Sequence, residues 1–153
     1  MVSHQRGLGI RYWMTTGNEV DLSVGETIKL MAEDPDVHTI MAYAESVKDG
    51  KQFTDALDTA RSEKKPVIFM KVGRSEVGAA AANSHTASLA GEDKVYDEVL
   101  RAHGAYRVRS TEEMLDVAYS TMPRIFPAGK NLGLVTISGG GGCLLYTSPS
   151  PRD

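Results

Sequence analysis

Pro66-Val67-Ile68-Phe69-Met70-Lys71-Val72-Gly73, near the middle of the chain, decides how the rest is read. Pro66 starts the run, Gly73 stops it, and the residues between are almost wholly apolar. A run without polar alternation is what a parallel strand covered on both faces shows. Upstream, Phe53, Ala56, Leu57 and Ala60 fall on one helical face, with Asp49 as candidate N-cap and Gln52 three residues on. Val37 to Ala44 reads as another parallel strand. Val24, Ile28 and Met31 make a helical stripe ended by Asp34-Pro35. Ile10 to Thr15, rich in β-formers and closed by Thr16-Gly17-Asn18, is read as the first strand. Downstream, Val95, Val99 and Leu100 repeat the helical pattern, and Gly104 follows as a stop. Tyr106-Arg107-Val108 is a short candidate strand. Met114, Leu115 and Ala118 lie behind a Ser110-x-x-Glu113 capping box. Leu132 to Ile137 reads as the last strand, stopped by Gly139 to Gly142. Alternation of strand and helix predicts βαβ crossovers, and so an α/β fold built on a doubly wound parallel sheet.

The bulk numbers exclude several classes. At 153 residues the chain is long enough for one α/β domain with a real core. A formal net charge of -3 gives no reason to expect nucleic acid or an anionic membrane as partner. No apolar run approaches a membrane span, and Met1 to Arg6 lacks the apolar stretch of a signal peptide. The lone Cys143 allows no intrachain disulfide, which fits a reducing, cytoplasmic compartment. His4, His38 and His103 have no carboxylate or cysteine at metal-ligand spacing, so they read as structural or exposed and no metal site is expected.

In an open parallel sheet, ligands gather outside the carboxyl ends of the strands. Gly17-Asn18, Glu45, Gly73-Arg74-Ser75 and Ser138-Gly139 fall there, and the loop after Val72 also carries Ser84-His85-Thr86. His85 follows the small residues Ala79 to Ala82, which let backbone and ligand approach closely. It is either an exposed or capped loop histidine or a nucleophile, since a neutral imidazole can accept a phosphoryl group near pH 7. Glu45 is either a solvated loop glutamate or the acceptor for the other ring N–H of a histidine. Ser138-Gly139-Gly140, followed by Gly141 and Gly142, is either a plain tight turn or a phosphate cradle, although it matches neither a Walker A nor a dinucleotide fingerprint. Lys71 and Arg74, on either side of Gly73, are phosphate contacts or solvated strand-end cations.

After Gly142 the pattern collapses. Cys143 to Asp153 contains Pro149 and Pro151 and no helical or strand period. The tail resembles translated adapter read-through and is set aside.

Several stretches together resemble the alpha-subunit portion of NDP-forming (ADP-forming) acyl-CoA synthetases, relatives of succinyl-CoA synthetase. They are Thr15 to Asp21, Tyr43-Ala44-Glu45 with Asp49-Gly50, Lys71 to Ser75, and above all Ser84-His85-Thr86-Ala87-Ser88-Leu89-Ala90-Gly91. Leu132 to Gly140 resembles the opening of the family's next domain. The resemblance runs from about residue 6 to residue 142 and implies a flavodoxin-like sheet. Residues 1-127 would be the phosphohistidine domain without its first strand and helix, 128-142 the first strand and glycine turn of the following domain, and 143-153 a non-native tail. The resemblance also implies an acid–CoA ligase that interconverts acyl-CoA, ADP and phosphate with acid, CoA and ATP. By position, His85 matches the phosphorylated histidine and Glu45 the glutamate that steadies it. Ser138-Gly139-Gly140 matches the turn before one of two helices that face the phosphohistidine. The substrates would be CoA, ADP/ATP and a small-molecule acyl group, with Mg on an ATP-grasp portion.

The chain departs from the family pattern. The CoA-binding Rossmann domain and the ATP-grasp portion, which would be its partners, are absent, and the family usually has a proline at the position of Gly141. The isolated chain is therefore expected to be inactive. The alternative is a CoA-binding regulatory or acyltransferase-associated module without ligase activity, against which a retained histidine argues.

Overall fold

The computed structural model describes residues 7–72, 93–129, 131, 133, 135–137, 139 and 143. Its helices begin where the sequence supplies a cap. Ser23 opens α1, Val24–Glu33, with a full capping box. Its hydroxyl accepts from Glu26 N–H at 3.1 Å, and the Glu26 carboxylate accepts from Ser23 N–H at 2.8 Å. Asp49 opens α2, Gly50–Ser62, by accepting from Gln52 N–H at 2.9 Å. The Gln52 side chain does not complete a box there; its carbonyl accepts from the Ser23 hydroxyl at 2.5 Å and ties the two helix starts together. Helix α3 is Asp93–Ala102, and Gly104, at φ 76°, ends that segment in the left-handed region. Ser110 caps α4, Thr111–Thr121, accepting from Glu113 N–H at 3.1 Å, while the Glu113 carboxylate accepts from Arg109 N–H instead of Ser110 N–H.

Three parallel strands lie in the order β1 (Ile40–Ala44), β2 (Val67–Lys71), β3 (Tyr106–Val108). Ile40 pairs with Val67 and Ala44 with Lys71; Ile68 pairs with Tyr106 and Met70 with Val108. Side chains alternate across the sheet. Ile40, Ala42, Ala44, Val67 and Phe69 join Ile28, Phe53, Leu57 and Leu100 in one core, beneath α1, α2 and α3. Ile68 and Val108 join Met114, Leu115, Ala118 and Leu8 in a second core, beneath α4. Helices therefore cover both faces, as the doubly wound reading requires. Gly25 lets α1 and α2 touch: a Cβ there would lie 3.1 Å from Phe53 N.

Three expectations are corrected. Ile10 to Thr15 forms no strand, because β-forming side chains need a ladder partner and none of the described strands lies alongside. Instead Arg11 and Tyr12 both donate to Asp34, at 2.9 and 2.5 Å. Leu132 to Ile137 is not a strand at its described positions, where Val135 and Ile137 are fully exposed; Leu132 and Leu134 lie outside the described residues. Among the described residues β1 is covered on one face, with Tyr43 59% exposed on the other. In the tail, Cys143 is helical and exposed, and residues 144–153 lie outside the described residues.

Candidate functional site

At the carboxyl end of β1 the chain bends at Glu45, which is half-buried. The strand end is held by Val72 N–H donating to Ala44 O at 3.1 Å, so Glu45 follows directly on the last β1–β2 bond. The turn at Thr16 to Glu19 closes with Glu19 N–H on Thr16 O at 3.0 Å, with Gly17 at φ 55° and Glu19 at φ 51°. Lys48 donates to Asn18 O and, at 3.1 Å, to Glu19 O. Lys48 thus joins the Gly17-Asn18 turn to the loop that follows Glu45, although no strand precedes that turn among the described residues.

Beneath α3 the same edge holds a buried charged cluster. Lys71 shares a sheet face with Phe69, its neighbour but one along the strand. Its side chain is 2% exposed. The ammonium donates to Val72 O at 2.6 Å and sits 5.1 Å from the centre of the Tyr96 ring, close enough for a cation–π contact. Burial pulls the ammonium below the usual lysine range; the Asp93 carboxylate opposes this, Arg107 adds to it, and Glu45 opposes it. Tyr96 in turn accepts from Val47 N–H at 3.0 Å, and burial raises its phenol. Lys71 is therefore no solvated strand-end cation.

Arg107, the ladder partner of Phe69, reaches the first turns of α3. It donates to Asp93 O at 3.0 Å, to the Asp93 carboxylate, and to Asp97 Oδ1 at 2.7 Å, with its own side chain 8% exposed. Burial works against this guanidinium, yet the bonds from Asp93 and Asp97 hold it above its ordinary range. Its Nε is buried without a partner among the described residues. Position parity with Phe69 is the signal in the sequence that could place Lys71 under a helix. Nothing local announces the pairing of Arg107 with Asp93 and Asp97. Next to this cluster an apolar cavity of about 290 Å³ opens between Val47, Phe53 and Thr54 on one side and Val95, Tyr96 and Val99 on the other.

The other predicted positions fare differently. His85, Gly73-Arg74-Ser75, Ser138 and Gly140 lie outside the described residues, and so does any Glu45–His85 distance. Gly139 is helical and exposed. His103, expected to be structural or exposed, makes a 2.7 Å contact with Asp58 at the far end of α3.

Comparison with known proteins gives four findings. Residues 2–121 match the succinyl-CoA ligase like flavodoxin domain. The chain is 36% identical over 137 residues to the alpha subunit of an ADP-forming acetate–CoA ligase I from Pyrococcus furiosus, covering 90% of this chain and 29% of that one. It is 35% identical over 136 residues to an ADP-forming 4-hydroxybutyrate–CoA ligase from Nitrosopumilus maritimus, covering 88% of this chain and 20% of that one. Among solved structures it resembles a dinucleotide forming acetyl-coenzyme A synthetase 1 of Ca. Korarchaeum cryptofilum in complex with phosphate and ADP, with a TM-score of 0.70, 33% identity, and coverage of 76% of this chain and 25% of that one. The chain thus spans less than a third of each of these relatives.

Proposed function

This chain belongs to the succinyl-CoA ligase like flavodoxin domain family, and from that premise we propose that it is the phosphohistidine segment of a larger acid–CoA ligase (NDP-forming). Residues 1–127 would form the flavodoxin-like unit, and 128–142 would open the next. The reaction runs in three displacements. A phosphate oxygen attacks the acyl carbonyl of acyl-CoA, and CoA leaves as the thiol with the phosphate's proton. An imidazole nitrogen of His85 takes the phosphoryl group as the P–O bond to the acyl oxygen breaks, releasing the free acid. The terminal oxygen of ADP then takes the phosphoryl group from the imidazole, giving ATP and free histidine. Glu45 accepts the other ring N–H and so holds the nucleophilic tautomer. Ser138, Gly139 and Gly140 would present backbone N–H groups to the moving phosphoryl.

The observation that carries this reading is the family match across residues 2–121, which spans both Glu45 and His85. The half-buried place of Glu45 at a strand's carboxyl end supports it. The names of the relatives support acetate or another small acid as substrate, with CoA and ADP. The missing CoA-binding and ATP-grasp portions would supply the rest of the site, and the setting would be cytoplasmic. Mg²⁺ would travel with the nucleotide on the ATP-grasp portion. Among the described residues no group of three or more His, Cys, Asp or Glu side chains is placed to hold a metal ion, and no step here runs through one.

In the full-length ligase, His85→Ala should abolish labelling of the protein by the γ-phosphate of ATP, and acyl-CoA synthesis with it. The label in the parent should be acid-labile and base-stable, as a phosphoramidate is. Glu45→Gln, which keeps shape but loses charge, should slow labelling without changing the melt. Undiminished turnover in His85→Ala would favour a binding module instead.

A further inference from the structure

The buried ammonium of Lys71 has no part in the three displacements, yet Lys71 pairs in the ladder with Ala44, the residue before Glu45. A lysine head group is expensive to bury, and fold alone would be served as well by an apolar residue of similar length. Two links join this ammonium to the Glu45 loop. The first is the ladder, where Ala44 pairs with Lys71 and accepts from Val72 N–H. The second is Tyr96, whose ring faces the ammonium at 5.1 Å while its hydroxyl accepts from the N–H of Val47, just past Glu45. The loop from Glu45 to Val47 is thus gripped from the β2 side and from the α3 side around a single cation.

We propose that Lys71, seated against Tyr96, is a positioning residue for Glu45: through the Tyr96 ring, whose hydroxyl takes the N–H of Val47, it holds the loop that carries the carboxylate at the sheet edge. This rests on the reading of Glu45 given above. The charges that act on the ammonium are Glu45 at the end of β1, Asp93 on α3 and Arg107 on β3, with Tyr96 also on α3. Asp93 is already engaged by Arg107. Removing the ammonium frees the Tyr96 ring, and with it the grip on Val47 just past Glu45.

The test is a cycle in the full-length ligase: Lys71→Met, Lys71→Arg, Glu45→Gln and the Lys71→Met/Glu45→Gln double variant, each followed by the rate of phosphohistidine formation. Lys71→Met should slow formation by about tenfold to a hundredfold at neutral pH, the range for loss of a group that orients a reacting residue. Lys71→Arg, which keeps a cation against the Tyr96 ring, should recover most of that loss. In the Glu45→Gln background Lys71→Met should cost under about twofold, because the two act as one unit. An equal loss in both backgrounds, or no recovery in Lys71→Arg, overturns the proposal while leaving the role of Glu45 intact. A Glu45→Gln enzyme with the wild-type rate overturns the role of Glu45 itself, a different result. Should Lys71→Met fail to accumulate, Lys71→Gln, polar but uncharged, is read the same way.

Discussion

β1 and β2 look alike as sequence and differ as structure. Ile40–Ala44 and Val67–Lys71 are both five-residue, largely apolar runs. β2 has a parallel partner on each edge, helices over both faces, and Val67, Ile68 and Phe69 all buried. β1 has one partner among the described strands, and its burial alternates, with Met41 and Tyr43 facing outward. Apolarity makes a strand, but covering it takes neighbours. The helix that closes the second face, α4, lies chiefly over β2 and β3 and meets the residue before β1 where the Thr121 and Thr39 hydroxyls lie 2.8 Å apart. The open edge and open face are the kind that pair with another chain.

The largest effect that tests the comparison sits in the closed strand. Phe69→Ala removes a fully buried ring that meets Phe53 edge-on at 5.2 Å. It should cost about 3–5 kcal/mol in urea unfolding, a large part of the about 5–15 kcal/mol a domain has. Tyr43→Lys, on the open face of β1, should stay within about 0.5 kcal/mol and reduce self-association and dye binding. Equal costs at the two positions would mean that β1 is covered in solution by something the described residues do not include.

A smaller effect tests the covered face of β1. Gly25→Ala places a Cβ at 3.1 Å from the backbone of α2, which cannot yield as a side chain would. Helix propensity alone would favour alanine by up to about 1 kcal/mol, so a net loss of about 1–2 kcal/mol isolates the close approach. A gain in stability would show that α1 and α2 sit farther apart than described.

How much is legible in the sequence follows the same division. Helix starts at Asp49 and Ser110 are readable because a cap is local: the side chain serves an N–H three residues on. Ser23-x-x-Glu26 carries the same signal, and the structure adds it to the two. Glu45 is legible as the residue after a strand because the apolar run before it marks β1. The burial of Lys71, which rules out a solvated cation, is not legible in the sequence because it depends on where α3 lies, and α3 starts only at Asp93. Arg107 is missed because its partners lie 10 and 14 residues away on a helix whose packing no local pattern encodes. Ile10 to Thr15 reads as a strand because propensity carries no information about partners.

That segment supplies the smallest effect. Without a ladder, Arg11 and Tyr12 hold to Asp34 by side chains alone, where α1 turns toward β1. The Tyr12 hydroxyl, Asp36 N–H and the Arg11 guanidinium, in that order, lower the Asp34 carboxyl from 3.8 to about 2. The folded carboxyl is the stronger acid, so the contribution is complete above the ordinary value and is lost as pH falls through about 2. Between those two values the tether should loosen while the sheet persists. A carbon-detected titration should place the Asp34 carboxyl at about 2, and Trp13 fluorescence should shift in the same window. Asp34→Asn should remove both signals and leave the melt of the β2 core nearly unchanged, as expected of exposed contacts. An Asp34 that titrates at its ordinary value would mean that residues 10–15 are held by backbone pairing after all, and that the open side of the sheet is less open than β1 suggests.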